Sequence, residues 1–252
     1  MNSNVHALVE AMTDPVGNVR AIKRMLAMGS ITKDHLQRIP PDDSQSQLNQ
    51  RANIWARTLL QAMGVELTIV GRPTPGALLV SNHRSYVDIL LLLAGTPCCF
   101  LAKGDVADWP VIGVAASRVG TVYVDRNAKD SRKASREAIA GLLDAGHTVV
   151  VFPEGTTYPG PGCRDFRLGA FEVAHEVGAP VLPVALEYGR ASDAWRDEHV
   201  LVHFSRCFRQ AKIKATLSFG PPLYADEPLD LMHDAHHWIN STLHDLWQDV
   251  QP

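Results

Sequence analysis

The spacing of apolar positions changes near residue 64. Val16, Val19, Ile22 and Leu26 fall on one side of a predicted helix, with Arg20, Lys23 and Arg24 towards the other. Asp14 can cap that helix, Pro15 suits its first position, and Gly29 is the predicted end. Leu48, Ala52, Trp55, Leu59 and Met63 keep a spacing of three or four and predict a second helix over 46–63, stopped by Gly64. The stretch 38–50 between them, with Pro40-Pro41 and several polar residues, reads as a linker. Past Gly64, short β-branched runs predict strands over Val65–Val70, 77–80, 98–101, Val122–Val124, 148–152 and 181–186. Helical spacing lies between them over 86–93, 131–144 and 169–177. Two further runs, 200–204 and Ile213–Phe219, predict edge strands, and 229–250 predicts a closing helix. Alternation of this kind predicts an α/β fold: a mostly parallel central sheet with helices on both faces. The expected organisation is a helical prefix, 1–64, followed by one domain, 65–252.

Composition narrows the class. Of 252 residues, 46% are hydrophobic and 20% charged, which is ordinary for a globular chain and excludes a fibrous or disordered one. The net charge of −3 argues against a nucleic-acid binder. The four cysteines have no CxxC spacing and form no disulfide framework, which fits a reducing cytosol. The longest uncharged apolar run, 89–102, contains Gly95 and Pro97 and falls short of the roughly twenty residues a membrane span needs. Glu10, Asp14, Arg20 and Lys23 interrupt any signal-peptide pattern. The prefix has two readings: a cationic amphipathic helix lying on an anionic membrane, or a helix packed on the body with a solvated basic face.

In parallel sheets, ligands bind beyond the carboxyl ends of the strands, so three loops carry the candidate chemistry. The first reads Ser81-Asn82-His83-Arg84-Ser85-Tyr86-Val87-Asp88. His83 followed by Asp88 suggests a general base oriented by a carboxylate. On a continuous helix residues five apart differ by about 140°, so the pair requires His83 on the loop and Asp88 reaching back from the first helical turn. Ser85 is the plausible N-cap. The competing reading makes Ser85 and Asp88 a capping box only, and the same spacing recurs at His244 and Asp249.

The second loop follows Val122–Val124 and carries Arg126, suited to take a phosphate through two parallel hydrogen bonds. Lys133 and Arg136 beyond it fit a solvated helix face. The third loop, Phe152-Pro153-Glu154-Gly155-Thr156-Thr157, follows an apolar strand. Gly155 permits close backbone approach, and its N–H with the Thr156 and Thr157 hydroxyls suits an oxyanion or phosphate. Glu154 suits a ligand hydroxyl, although an ordinary turn explains the same residues. No nucleophile elbow is present, His233, His236 and His237 read as one partly solvated helix rather than a metal site, and no phosphate-cradling glycine-rich loop points to a nucleotide. No metal and no resident cofactor is expected.

Read together, the loops are more specific. Asn82-His83-Arg-Ser85-x-x-Asp88, Gly120-x-x-Tyr123-Val-x-Arg126, Phe152-Pro153-Glu154-Gly155-Thr156 and Leu182-Pro183-Val184 resemble, in order, the motifs of the glycerolipid acyltransferase family. The 1-acyl-glycerol-3-phosphate acyltransferases are the type they most resemble. Phe166-Arg167-x-Gly169 and Ala174 add to the likeness. The resemblance implies that His83 takes the proton of an acceptor hydroxyl and Asp88 orients His83. Asn82, Ser85, Arg126, Glu154, Gly155, Thr156 and Thr157 would then bind substrate, and Pro183 would shape the acyl region. It further implies acyl-CoA or acyl carrier protein as donor, a lysophospholipid as acceptor, an anionic membrane surface as partner, and a peripheral place on the inner face of the cell membrane. Two departures stand out. The family's third motif usually continues with a basic residue, where this chain has Thr157, so Arg164 or Arg167 would substitute, or the acceptor would be another lysolipid such as lyso-ornithine lipid. Apolar membrane-embedded N-terminal helices, frequent in the family, are replaced here by the cationic prefix. A non-catalytic lipid binder and a thioester hydrolase are the competing functions. The basic stretch Arg206, Arg209, Lys212 and Lys214 suits anionic lipid, coenzyme A phosphates or a charge-guarded sheet edge.

Overall fold

A computed structural model describes residues 14–103, 122–124, 129–196 and 198–251. Helices α1 (Pro15–Gln37) and α2 (Gln45–Ala62) precede the first strand, β1 (Val65–Val70). Then come β2 (Leu78–Ser81), α3 (Asp88–Gly95), β3 (Cys99–Lys103), β4 (Val122–Val124), α4 (Lys129–Asp144), β5 (Val149–Val151) and α5 (Gly169–Glu176). The chain closes with β6 (Val181–Tyr188), α6 (Val200–Arg209), β7 (Ile213–Phe219) and α7 (Pro228–Trp247). The strands form one sheet in the order β1-β7-β6-β2-β5-β3-β4, parallel throughout except between β6 and β7.

The strand alternation divides the core in two. Leu79, Val150, Leu182, Val184 and Leu186 face one way, against α2, α3 and α6. Leu78, Val80, Val149, Val181 and Ala185 face the other way, against α4, α5 and α7. Strand β6 is buried along its whole length because neighbours and helices enclose it on every side, and its near-continuous apolar run reflects that. Pro183 fits this central strand because it lies one step beyond the last β6–β7 pair, Val184 with Phe219. Its missing N–H therefore breaks no rung of that ladder.

Several expectations are corrected. The run at 200–204 is helical: His203, Cys207, Phe208 and Arg209 are the buried positions of α6, and the spacing of four from His203 to Cys207 is one that a five-residue window cannot display. Strand β7 is interior, between β1 and β6, and β1 takes the edge. The linker is shorter than expected, because Ser44 and Gln47 form a reciprocal capping box that starts α2 at Gln45. The two helices before β1 share the first core, where Trp55, Leu59 and Met63 pack beneath the sheet.

Helix α1 departs furthest. Gly29 does not end it, since Met28 and Ile31 on either side pack against the core and Thr32 accepts from the Trp55 indole. Arg20 and Arg24 turn inward, while Lys23 stays exposed. Arg24 is buried and donates to the carbonyls of Phe208, Gln210 and Ala211, and Arg20 donates to that of Arg209. Those of Phe208, Arg209 and Gln210 are orphan carbonyls at the end of α6, where cations are favoured, and that of Ala211 lies just beyond. Val16, Val19, Ile22, Met25 and Leu26 are left exposed, Val16 and Leu26 at 67% and 66%. The helix thus packs on the body as one reading expected, but Arg20 and Arg24 of its basic face are engaged by the protein and only Lys23 of the three named cations is solvated. Among the described residues, no helix is long and apolar enough to cross a membrane.

Candidate active site

Strands β2 and β5 are parallel neighbours, so the loops after Ser81 and Val151 leave the same edge side by side. The imidazole of His83 stacks on Phe152 with centroids 3.9 Å apart and planes 13° from parallel. The Tyr158 amide donates to the His83 carbonyl at 2.8 Å, tying the later part of the third loop to the first.

Asp88 is the first residue of α3 and is fully buried. Its Oδ2 lies 2.8 Å from His83 Nδ1 and also accepts the backbone N–H groups of Arg84 (2.6 Å) and Ser85 (2.8 Å). Ser85 is not the N-cap, because the helix starts at Asp88 with Val87 at its N-cap and no side-chain cap; the same Asp88 oxygen nonetheless takes the Ser85 amide and the contact with His83. A carboxylate oxygen that already takes two N–H donors can only accept from the ring as well. Nδ1 therefore carries the hydrogen, and Nε2 presents its lone pair as a base. The other oxygen, Oδ1, accepts the Tyr188 hydroxyl at 2.6 Å. The His83 side chain keeps 18% of its surface open, against none for Asp88.

Three consecutive residues of β6 hold the first loop. The Leu186 backbone pairs with both ends of the Asn82 amide at 2.8 Å each way. The Glu187 carboxylate pairs with the guanidinium of the fully buried Arg84 at 2.6 Å, and Arg84 also donates to the Tyr158 carbonyl. Burial pushes the Glu187 carboxyl up, while Arg84 pulls it back. Tyr188 reaches Asp88 and stands 3.2 Å from the Ser85 hydroxyl, which accepts the Val87 amide. Asn82 and Ser85, expected to meet substrate, are wholly buried with these contacts and act on the loop itself.

Glu154 is likewise turned inward. Its Oε1 accepts the His83 amide at 3.0 Å and its Oε2 the Arg164 amide at 3.3 Å. Burial raises its carboxyl to about 6. Gly155 has φ +74° and donates its N–H to the Phe152 carbonyl, so that N–H is not free for an anion. A Cβ placed on Gly155 would come within 2.7 Å of the Arg167 guanidinium, which closes over it. Thr156 and the side chains of Arg164 and Arg167 are exposed, and Thr157 is half-buried beside them. Arg126 lies outside the described residues. Pro183 is buried in β6, and its carbonyl accepts the Gly220 amide.

The two other basic groups prove largely partnered. Lys133 lies 3.8 Å from Glu137, and Arg136 pairs with Glu172 and Glu176. Arg206 pairs with Glu198 and Lys212 with Glu66, acids that sequence proximity did not suggest. Arg84, Glu187 and Tyr188 were not singled out from the sequence. The available signal was a glutamate closing an otherwise apolar strand, which demands a buried cation somewhere.

A family model described as Acyltransferase matches residues 65–187. A lyso-ornithine lipid O-acyltransferase of Pseudomonas aeruginosa is 34% identical over 180 residues, 69% of each chain. A 1-acyl-sn-glycerol-3-phosphate acyltransferase of Neisseria meningitidis serogroup B is 38% identical over 136 residues, covering 52% of this chain and about half, 53%, of that protein. Among solved structures, the 1-acyl-sn-glycerophosphate acyltransferase PlsC from Thermotoga maritima superposes with a TM-score of 0.66 over 97% of this chain and 98% of that one, at 17% identity. That last likeness concerns the fold.

Proposed function

This chain belongs to the acyltransferase family of the lysophospholipid type, and from that premise we propose that it moves a fatty acyl group from an acyl thioester to the free hydroxyl of a lysolipid. The observation that carries the reading is the 2.8 Å contact of His83 Nδ1 with a buried, fully hydrogen-bonded Asp88. His83 Nε2 takes the proton of the acceptor hydroxyl as its oxygen attacks the thioester carbonyl. The tetrahedral intermediate collapses with cleavage of the C–S bond, and the leaving thiolate takes the proton from His83. No acyl-enzyme forms. Asp88 holds the tautomer and stabilises the imidazolium, a general-base arrangement worth roughly 10² to 10⁴ in rate. The donor is acyl-CoA or acyl carrier protein, and the protein needs no metal or resident cofactor.

Lysophosphatidic acid is the first acceptor we propose, with phosphatidic acid as product. Arg126, the Thr156 and Thr157 hydroxyls and Arg167 bind its phosphate and glycerol, with Gly155 setting the turn. Pro183 borders the acyl region. A lyso-ornithine lipid is the second reading. It is supported by the neutral Thr157 and by the longer match to the Pseudomonas enzyme. The exposed apolar side of α1 supports a peripheral site on anionic membrane, at the inner face of the cell membrane.

The test incubates purified protein with a labelled acyl thioester and a panel of lysolipids, reading products by mass spectrometry. Transfer to one acceptor, abolished in His83→Ala without loss of fold, is the expected result. Near-normal turnover in that variant removes the mechanism. Equal release of free fatty acid with and without lysolipid replaces transfer by hydrolysis, and binding without turnover leaves a lipid carrier.

A further inference from the structure

We infer that Tyr188, at the end of β6, is a positioning residue that fixes which carboxylate oxygen Asp88 presents to His83 and how firmly the pair holds its proton. The inference rests on the reading of His83 as general base. The three donors on the loop side, His83 Nδ1 and the amides of Arg84 and Ser85, all converge on Oδ2. Oδ1 receives the Tyr188 hydroxyl at 2.6 Å. Without that hydroxyl, Oδ1 would be a buried carboxylate oxygen with no donor among the described residues, a state costly enough to turn the carboxylate or protonate it. Burial and the adjacent Asp88 charge push the phenol well above its usual range, so Tyr188 keeps its hydrogen and acts only as donor. The Ser85 hydroxyl, 3.2 Å away, keeps the phenol in line from the loop side.

Other charged and titratable groups surround this centre. Glu154 takes the His83 amide from the third loop, and Arg84 with Glu187 lies behind the loop on β6. From α6, His203 contacts the Tyr86 hydroxyl, and Cys207 lies beside His203. None of these donates to Oδ1, so the effect of removing the Tyr188 hydroxyl falls on Asp88 first. A carboxylate with one donor fewer disperses less charge and grips the imidazolium proton harder, and its own protonation becomes easier. Both effects keep the pair protonated to higher pH, where the base is out of use.

The test compares wild type, Tyr188→Phe, and protein carrying 3-fluorotyrosine at position 188. In Tyr188→Phe, kcat/KM falls roughly tenfold to a hundredfold, the scale of one hydrogen bond to a charged group. The loss lies in kcat, with KM for both substrates retained, and the acidic limb of the kcat/KM profile moves to higher pH. Fluorotyrosine keeps the ring and donates more strongly, so its limb moves the opposite way and the comparison holds even if the phenylalanine variant folds poorly. The same three proteins, titrated without substrate by 15N NMR of the His83 ring, show the same order. Identical limbs and identical ring titrations in all three overturn the inference. A wild type that transfers to no acceptor overturns the proposed function alone, because the substrate-free titration still decides the role of Tyr188.

Discussion

The Arg84 guanidinium meets the Glu187 carboxylate at 2.6 Å with both side chains out of contact with water, 0% and 4% exposed. Because Arg84 sits between His83 and Ser85, this ion pair clamps the loop after β2 onto β6. Removing one partner leaves the other charge buried and alone, which costs about 3–5 kcal/mol. Arg84→Ala is therefore expected to lower the free energy of unfolding by that amount in urea titration. Arg84→Met with Glu187→Leu should recover much of the stability, since apolar replacement of both members is often neutral. Acyl transfer should stay low in the double variant, because the tether from Arg84 to the Tyr158 carbonyl is still gone.

Glu154 gives a pH signature of stability. Its carboxyl is raised by burial from 4.5 to about 6 in the folded protein. The folded chain thus keeps this proton where the unfolded chain has released it. The associated stability is present below pH 4.5 and is lost as pH climbs through about 6, amounting to up to about 2 kcal/mol. Thermal melts at a series of pH values should show wild type losing ground to Glu154→Gln between these limits. A constant difference between the two proteins would refute the assignment.

Gly155 is held at φ +74° beneath Arg167. An L side chain in that region costs roughly 1–2 kcal/mol from the backbone alone. Gly155→Ala should lose at least that much stability. It should also push Arg167 off the turn, raising KM for a phosphate-bearing acceptor more than KM for the thioester. Steady-state kinetics with both substrates varied will read the two separately.

How much of this was legible beforehand depended on sequence distance. His83 with Asp88, and Gly155 with Thr156, are neighbours along the chain, and their chemistry shows in local spacing. The partners of Asn82, Arg84 and Asp88 on β6 lie about a hundred positions later, at Leu186, Glu187 and Tyr188. No local period connects them; only the pairing of β2 with β6 does. For the same reason Asn82, Ser85 and Glu154 read as ligands of a substrate when their donors and acceptors belong to the protein. The β-strands were legible because runs such as Val65–Val70 and Ile213–Phe219 are short and β-branched. Helix α6 was misread because its apolar residues are diluted by His203 and Arg206, whose partners lie elsewhere.

Replacing Val19, Ile22 and Leu26 together by serine should weaken co-sedimentation with vesicles containing anionic lipid, while leaving the melting temperature nearly unchanged, since all three are exposed. Equal binding by wild type and the triple variant would place membrane contact elsewhere. Turnover with short-chain, soluble substrates should be retained, as among the described residues no contact links these three to His83.

Arg20 and Arg24 also act as a brake. A cylinder fastened through two side chains to four carbonyls at the tip of another cannot roll about its axis to hide an oily ridge from solvent. The apolar side of α1 is therefore fixed outward as soon as the chain folds, and the membrane docking proposed above would need no further turn of that helix.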